Sequence, residues 1–421
     1  MKRILSLLLL SALLVILAAC SSSKSIDNGG GGGGGGTVAN SVALSVGPGP
    51  SDLTNGGYAN ILFATVTVCQ PGTSNCTAID HVLVDTGSFG LRIFSSELPS
   101  GFTLSPIASG SGSLYECLPF VDSYAWGPVV SADIEMAGEK GSSVPVQLMM
   151  NTAAPTTCTS TVAVAGSSQV STVNDLGAKG ILGVGNFGTD CGTYCTTVQK
   201  FDLYFGCSSS SASSCTQAAT PESNQVVNPV QTFAADNNGV MIQLGSPDSG
   251  SGTASGTMFF GVGTQSNNTP ASGVTAVKLD SKGDFTTKFQ STTYGSSYAD
   301  TGSNAYFFGT ITNTTTLTTS TGITGCNLGT AANPAYFYCP SSELSESATM
   351  AASATPTSTT TVNFKVGNAN TTTGFALDDL AGTNTDDTSF DWGLPFFFGR
   401  TVFIGFDGAS SSLASGSYIA F

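Results

Sequence analysis

Charge is scarce in this chain: of 421 residues only 9% are Asp, Glu, Lys or Arg, and 27 acidic residues outnumber 12 basic ones. A formal net charge of −15 with no basic patch excludes nucleic acid and anionic membrane surfaces as partners, because phosphates would be repelled rather than neutralised. Histidine is scarcer still. His81 stands alone, reads as an ordinary strand residue, and no two-Cys knuckles recur, so a His/Cys metal centre has no ligand set. Sustained helical periodicity is also missing, while Val, Thr, Phe and Ile runs alternate with Gly, Ser and Asn punctuation. That excludes a helical bundle and predicts an all-β body. With so few charges, Ser, Thr, Gly and Asn must supply the polar surface, which suits an exported protein.

The longest apolar run, Ile4 to Leu17, is shorter than the ~20 residues a spanning helix needs. It follows Lys2 and Arg3 and ends in Leu17-Ala18-Ala19-Cys20. That ending resembles a bacterial lipobox, which implies that residues 1–19 are a signal peptide and that Cys20 is acylated. Ser21 is compatible, by the same resemblance, with sorting to the outer membrane. The expected location is therefore the bacterial cell envelope, with the membrane engaged through the lipid anchor only. A plain signal peptide followed by a free Cys is the blander reading. Residues 20–55 read as a tether, Ser-rich and carrying eight consecutive glycines from Gly29 to Gly36, which cannot bury a core. The remaining length fits two bodies of under about 200 residues each, taken as 56–206 and 226–421 with a Ser-rich connection at 207–225. Thr/Ser tracts at 311–322 and 352–361 read as surface loops.

Setting Cys20 aside leaves ten of eleven cysteines, an even number in an oxidising compartment. Spacing suggests the local pairs Cys69–Cys76, Cys191–Cys195, Cys207–Cys215 and Cys326–Cys339, leaving Cys117–Cys158; other connectivities stay open on sequence alone. Cys69 and Cys76 sit at the shoulders of a predicted hairpin, formed by 60–69 and 78–84 around a Pro-Gly-Thr-Ser-Asn turn.

The same tetrapeptide occurs twice after β-like approaches: Val82-Leu-Val-Asp85-Thr-Gly-Ser88 and Ser297-Tyr-Ala-Asp300-Thr-Gly-Ser303. One copy is more often an ordinary turn in which Asp accepts backbone hydrogens. Further along stand Gly180-Ile181-Leu182-Gly183 and the segment Trp392-Gly-Leu-Pro-Phe-Phe-Phe-Gly-Arg-Thr-Val-Phe-Ile-Gly-Phe-Asp407. Gly183 lies 98 residues after Asp85, and Pro395 lies 95 after Asp300, a near-equality that predicts a duplicated body.

Together these segments resemble the pepsin-like, bilobal aspartic proteases over roughly residues 56 to 421, and Asn228-Pro-Val and Gly256-Thr-Met-Phe-Phe-Gly261 look like that family's entry to its second lobe. The resemblance implies two β-barrel-like lobes related by a pseudo-twofold axis, with an interlobe cleft for a peptide or protein substrate. It makes Asp85 and Asp300 the catalytic pair. Two carboxylates held face to face cannot both ionise, so one activates water while its protonated partner polarises the peptide carbonyl. Gly87 and Gly302 permit close approach, Thr86 and Thr301 cross-brace the loops, and Ser88 and Ser303 bond the outer carboxylate oxygens. No metal or organic cofactor is needed, and a monomer is expected.

Several positions depart from the family pattern. Pro395 replaces the glycine of the second apolar-apolar-Gly step, Arg92 stands where the family often has a Trp bracing the flap tyrosine, and no basic prosegment precedes the first strand. Tyr124 and Trp126 either form a shortened flap or are core aromatics. The pattern is also similar to bacterial envelope lipoproteins of unassigned function. Three readings follow: an aspartic endopeptidase, a non-catalytic lipid-tethered protein holding a peptide or wall component, and a structural envelope β-protein.

Overall fold

Alternation along the strands shows where the core lies: Thr359–Val366 buries Val362, Phe364 and Val366 and turns Thr359, Asn363 and Lys365 to solvent. In a computed structural model, residues 40–54, 56–162, 167–198, 203–330, 333–353 and 359–421 are described. They form an all-β protein in which the one α-helical segment, Val173–Leu176, is a single turn. No helix among the described residues is long and apolar enough to cross a membrane. Cys20 and the signal-like run lie outside the described residues.

One antiparallel series crosses the molecule in the order Leu62–Cys69, Ser41–Val46, Ala254–Phe260, Gly239–Leu244, Arg400–Gly405, Tyr418–Ala420 and Ala276–Lys278. Ser41–Val46 falls within the stretch assigned to a tether from 20 to 55. Its alternation of Val42, Leu44 and Val46 gives it a face to bury, and it pairs with all of Ser41↔Phe259 through Val46↔Ala254. The connection at 207–225 is likewise not featureless. Cys215–Gln217 pairs back onto Tyr204–Cys207. The tract at 311–322 holds a small hairpin of Ile311–Asn313 and Thr318–Thr319, and the expected loop at 352–361 gives way to a strand from Thr359.

The predicted hairpin forms from Leu62–Cys69 and Cys76–Asp85, with Cys69 opposite Cys76. All five disulfides pair as the spacing suggested: 69–76, 117–158, 191–195, 207–215 and 326–339. Glu135 lies near Cys69 and Cys76, but both thiols are used in their disulfide.

A second, nine-stranded sheet is built from the later part of the chain and is packed with aromatics. Trp392 stacks on Phe390 at 4.4 Å, meets Tyr306 and Phe364 edge-on, and donates its indole N–H to Thr287 Oγ1 at 3.0 Å. Satisfying that N–H is what allows so large a ring to be fully buried. Its backbone carries the second Asp-Thr-Gly-Ser loop.

Candidate active site

The strand Cys76–Asp85 ends in four fully buried residues, so its last turn is fixed before the loop begins. Gly180–Val184 runs parallel beside it, setting Gly183 opposite Asp85, and pairs on its other edge with Phe89–Phe94. A strand buried on both faces needs an unbroken apolar run, which Ile181, Leu182 and Val184 provide. The second loop is carried the same way. Thr292–Ala299 leads to Asp300, Asp391–Trp392 runs parallel with Ala299 opposite Trp392, and Tyr306–Phe307 pairs on the far edge. Asp300 donates its N–H to the Trp392 carbonyl at 3.0 Å.

This register corrects one expectation. Continuing it by one residue puts Gly393, not Pro395, beside Asp300 as the counterpart of Gly183. A side chain at Gly393 would meet the Ala305 carbonyl at 2.1 Å, just as one at Gly183 would meet Phe89 backbone at 2.6 Å. Pro395 sits two residues further on, in a buried turn at Leu394–Phe396, and leaves the support of the loop intact.

The two loops reach across to each other with reciprocal bonds. Thr86 donates its N–H to Thr301 Oγ1 at 3.0 Å, and Thr301 donates its N–H to Thr86 Oγ1 at 3.0 Å. Each hydroxyl then donates onward, Thr86 to the Ala299 carbonyl at 3.0 Å and Thr301 to the Val84 carbonyl at 2.7 Å. The aspartates are treated alike. Asp85 Oδ1 accepts from Gly87 N–H at 2.8 Å and its Oδ2 from the Ser88 hydroxyl. Asp300 Oδ1 accepts from Gly302 N–H at 2.7 Å and its Oδ2 from the Ser303 hydroxyl at 3.1 Å. The same bonds are therefore made at both motifs, residue for residue.

Asp85 and Asp300 are both 0% exposed and hydrogen-bond each other through their carboxyls. Burial first, then the Asp300 charge and that hydrogen bond, push the Asp85 carboxyl well above the usual carboxylate range; Ser88 and Gly87 pull it down by less. Two buried carboxyls facing each other disfavour a second negative charge. Glycine is required on both sides, since a Cβ at Gly87 would fall 2.4–2.6 Å from the Asp300 carboxyl, and one at Gly302 would fall 2.6 Å from Asp85 Oδ1.

A family model described as a protein of unknown function (DUF3443) matches residues 36–421. The chain belongs to the DUF3443 family. No curated protein matches it.

In this DUF3443 member, Tyr124 and Trp126 are not poised at a hairpin tip. They are 8% and 1% exposed, and Trp126 stacks on Tyr115 at 5.3 Å and meets Phe205 edge-on. The tip of their hairpin is instead Val121 and Asp122, between Pro119 and Tyr124. Two polar side chains outside the Asp-Thr-Gly-Ser motifs also belong to the site's frame. Asn60 donates from Nδ2 to the Asn304 and Leu377 carbonyls at 2.7 and 2.8 Å and accepts from Leu377 N–H, tying the early chain to the residue that follows Ser303. Asn228 donates to the Gly185 carbonyl at 3.1 Å behind the first loop. Nothing local in the sequence marks Asn60; Asn228 stood inside a segment already singled out. His81 is a strand residue as expected, bonded to Asp80 at 2.8 Å. Two shallow grooves open elsewhere, one lined by Ser45, Pro48, His81 and Asp248 and one by Gln243, Thr257 and Arg400, and neither includes an aspartate of the pair.

Proposed function

We propose that this chain is an aspartic endopeptidase of the bilobal, pepsin-like kind. The observation that carries the reading is the Asp85–Asp300 pair: two carboxyls, hydrogen-bonded to each other, each with the same Gly N–H and Ser hydroxyl partners. The matching contacts support two lobes related by an approximate twofold axis between the loops. In the reaction, Asp85 acts as the acid and Asp300 as the base. Asp300 takes a proton from water as its oxygen bonds to the peptide carbonyl carbon, and Asp85 gives its proton to the carbonyl oxygen. The tetrahedral diol collapses when Asp300 gives its proton to the departing nitrogen, Asp85 takes one back from a diol hydroxyl, and the C–N bond breaks. No step calls on a metal or organic cofactor, and the chain acts as a monomer.

Lys2, Arg3, the apolar run to Leu17 and Cys20 support a lipid-anchored envelope location for this activity. The test is digestion of a denatured protein by the purified chain between about pH 3 and 7, a range set by the aspartate pair. Cleavage strongest in acid and blocked by pepstatin is expected. No cleavage anywhere in that range overturns the reading.

One observation favours a second reading, a non-catalytic binder of a peptide or wall component: both aspartates are wholly shielded from solvent, so a substrate must open the structure to reach them. A ligand that co-purifies and is held equally by the Asp85→Asn, Asp300→Asn double variant supports the binder; turnover rejects it.

A further inference from the structure

Behind the first loop lies a second buried ionisable group of residues that the peptide chemistry does not use. Arg92 is 0% exposed. Its Nη2 donates to Glu116 Oε1 and to Asp190 Oδ2, both at 2.7 Å, and its Nη1 donates to the Phe89 carbonyl at 2.7 Å. Tyr204 donates its hydroxyl to Asp190 Oδ1 at 2.7 Å and accepts the Val226 N–H at 2.7 Å. These four residues come from three strands and the loop at 190, and the fourth strand alongside, Glu139–Met149, brings only neutral Gln147, which donates to the Glu116 carbonyl at 2.9 Å.

Each link runs to the Asp85 loop. Phe89 follows Ser88, whose hydroxyl holds Asp85, and Phe89 and Gly90 pair with Val184 and Gly183 beside that aspartate. Val226, fixed by Tyr204, packs over Gly90 so closely that a Cβ there would meet its Cγ1 at 2.4 Å. We propose that Arg92, gripped by Glu116, Asp190 and Tyr204, is the positioning residue for the Asp85 loop, and that the grip is whole only while Asp190 keeps its proton. This regulation of the site rests on the endopeptidase reading for its effect on turnover.

Charge balance and hydrogen bonding give the reason. One guanidinium facing two ionised carboxylates would leave a net negative charge buried away from solvent, which is costly in a low-dielectric interior. Among the described residues Glu116 Oε2 has no hydrogen-bond donor, so a proton on Asp190 directed at it satisfies both the charge and the orphan oxygen. Burial and the facing Glu116 charge hold the Asp190 carboxyl well above the usual range, outweighing the opposite pull of Arg92 and Tyr204. Above that titration a second negative charge must be hydrated, and the grip on Phe89 loosens.

Two measurements on the folded full chain decide it. Amide exchange at Gly87 is compared in wild type and Asp190→Asn as pH rises above about 6, beyond an ordinary carboxyl titration. Asn cannot ionise, so exchange at Gly87 is expected to be tenfold or more faster in wild type than in the variant at the upper end. Equal exchange at every pH overturns the proposal. If Asp190→Asn does not fold, Glu116→Gln removes the other carboxyl and serves the same comparison. An infrared titration adds a check: a buried protonated-carboxyl band present in wild type and missing from Asp190→Asn is expected, and a band the variant leaves unchanged overturns the proton on Asp190. In the cleavage assay, Asp190→Asn is expected to keep KM and to move only the upper limb of the kcat–pH profile upward. An unmoved limb in an active enzyme overturns the positioning role. If wild type cleaves nothing, the endopeptidase reading fails, while exchange at Gly87 still decides the grip.

Discussion

Replacing Thr301 by Val tests whether the two aspartate loops are held as one unit. Valine has the same branched shape but no hydroxyl, so the change removes the donation to the Val84 carbonyl at 2.7 Å and the acceptance from Thr86 N–H at 3.0 Å, with little change in packing. Thr301 is 0% exposed, so no water replaces what is lost. A buried polar group deprived of its partner costs about 1–3 kcal/mol, which puts Thr301→Val at roughly 2–5 kcal/mol. Thr86→Val removes the other two bonds, to the Ala299 carbonyl and from Thr301 N–H, and belongs in the same range. No bond is shared between the two variants. If the loops are nonetheless braced as a unit, losing one pair lets them separate, and the double variant costs less than the sum by about 0.5–3 kcal/mol. Urea unfolding at one fixed pH, with the denaturant slope unchanged, measures all three. A single change costing under about 0.5 kcal/mol, the ordinary range of a surface substitution, refutes the brace, and strict additivity refutes the unit.

Stability should fall as pH rises above about 4, the unfolded value of a carboxyl. Asp85 and Asp190 both have folded values well above it, so each contributes stability that is full below that pH and is lost through its own raised titration, at about 1.4 kcal/mol per pH unit per proton. The lowered carboxyls of Asp80, Asp133 and Asp386 act oppositely, but only below about pH 4, which puts the maximum in mild acid. Denaturation midpoints from pH 3 to 8, a span of about five units that includes that value, check this; a maximum above neutrality contradicts it. Gly302→Ala forces a methyl group to within 2.6 Å of Asp85 Oδ1 and is expected to destroy activity while costing about 1–3 kcal/mol of stability, read by thermal unfolding. Removing Cys117–Cys158, which closes the longest disulfide loop at a separation of 41 residues, is expected to cost roughly 4 kcal/mol in the Cys→Ser double variant, against about 2 kcal/mol for Cys191–Cys195.

What could be read in the sequence was what depends on neighbours along the chain. Both Asp-Thr-Gly-Ser motifs were legible because loop, carboxylate, glycine and hydroxyl lie within four residues, and the disulfides were legible because four of the five close short loops. Ser41–Val46 was not, because it adjoins a glycine tract and its partner, Ala254–Phe260, is more than 200 residues away. Spacing from the aspartates sets Pro395 against Gly183, whereas the register of Ala299 with Trp392 gives that place to Gly393. Arg92 looked like a lost aromatic brace; its partners Glu116 and Asp190, 24 and 98 residues away, have no signature of their own. Tyr124 and Trp126 alternate correctly for a strand, and only packing against Tyr115 and Phe205 shows that Trp126 belongs to the core.

The central claim is that Asp85 and Asp300 act as one catalytic group. Its most direct test is kcat/KM for a peptide substrate in mild acid, measured for wild type, Asp85→Asn, Asp300→Asn and the double variant. Each single change is expected to lower it by about 1000-fold or more, and the double variant to fall no further, because residues that act as a unit are lost together. A single variant within tenfold of wild type, or losses that multiply in the double variant, contradicts the claim.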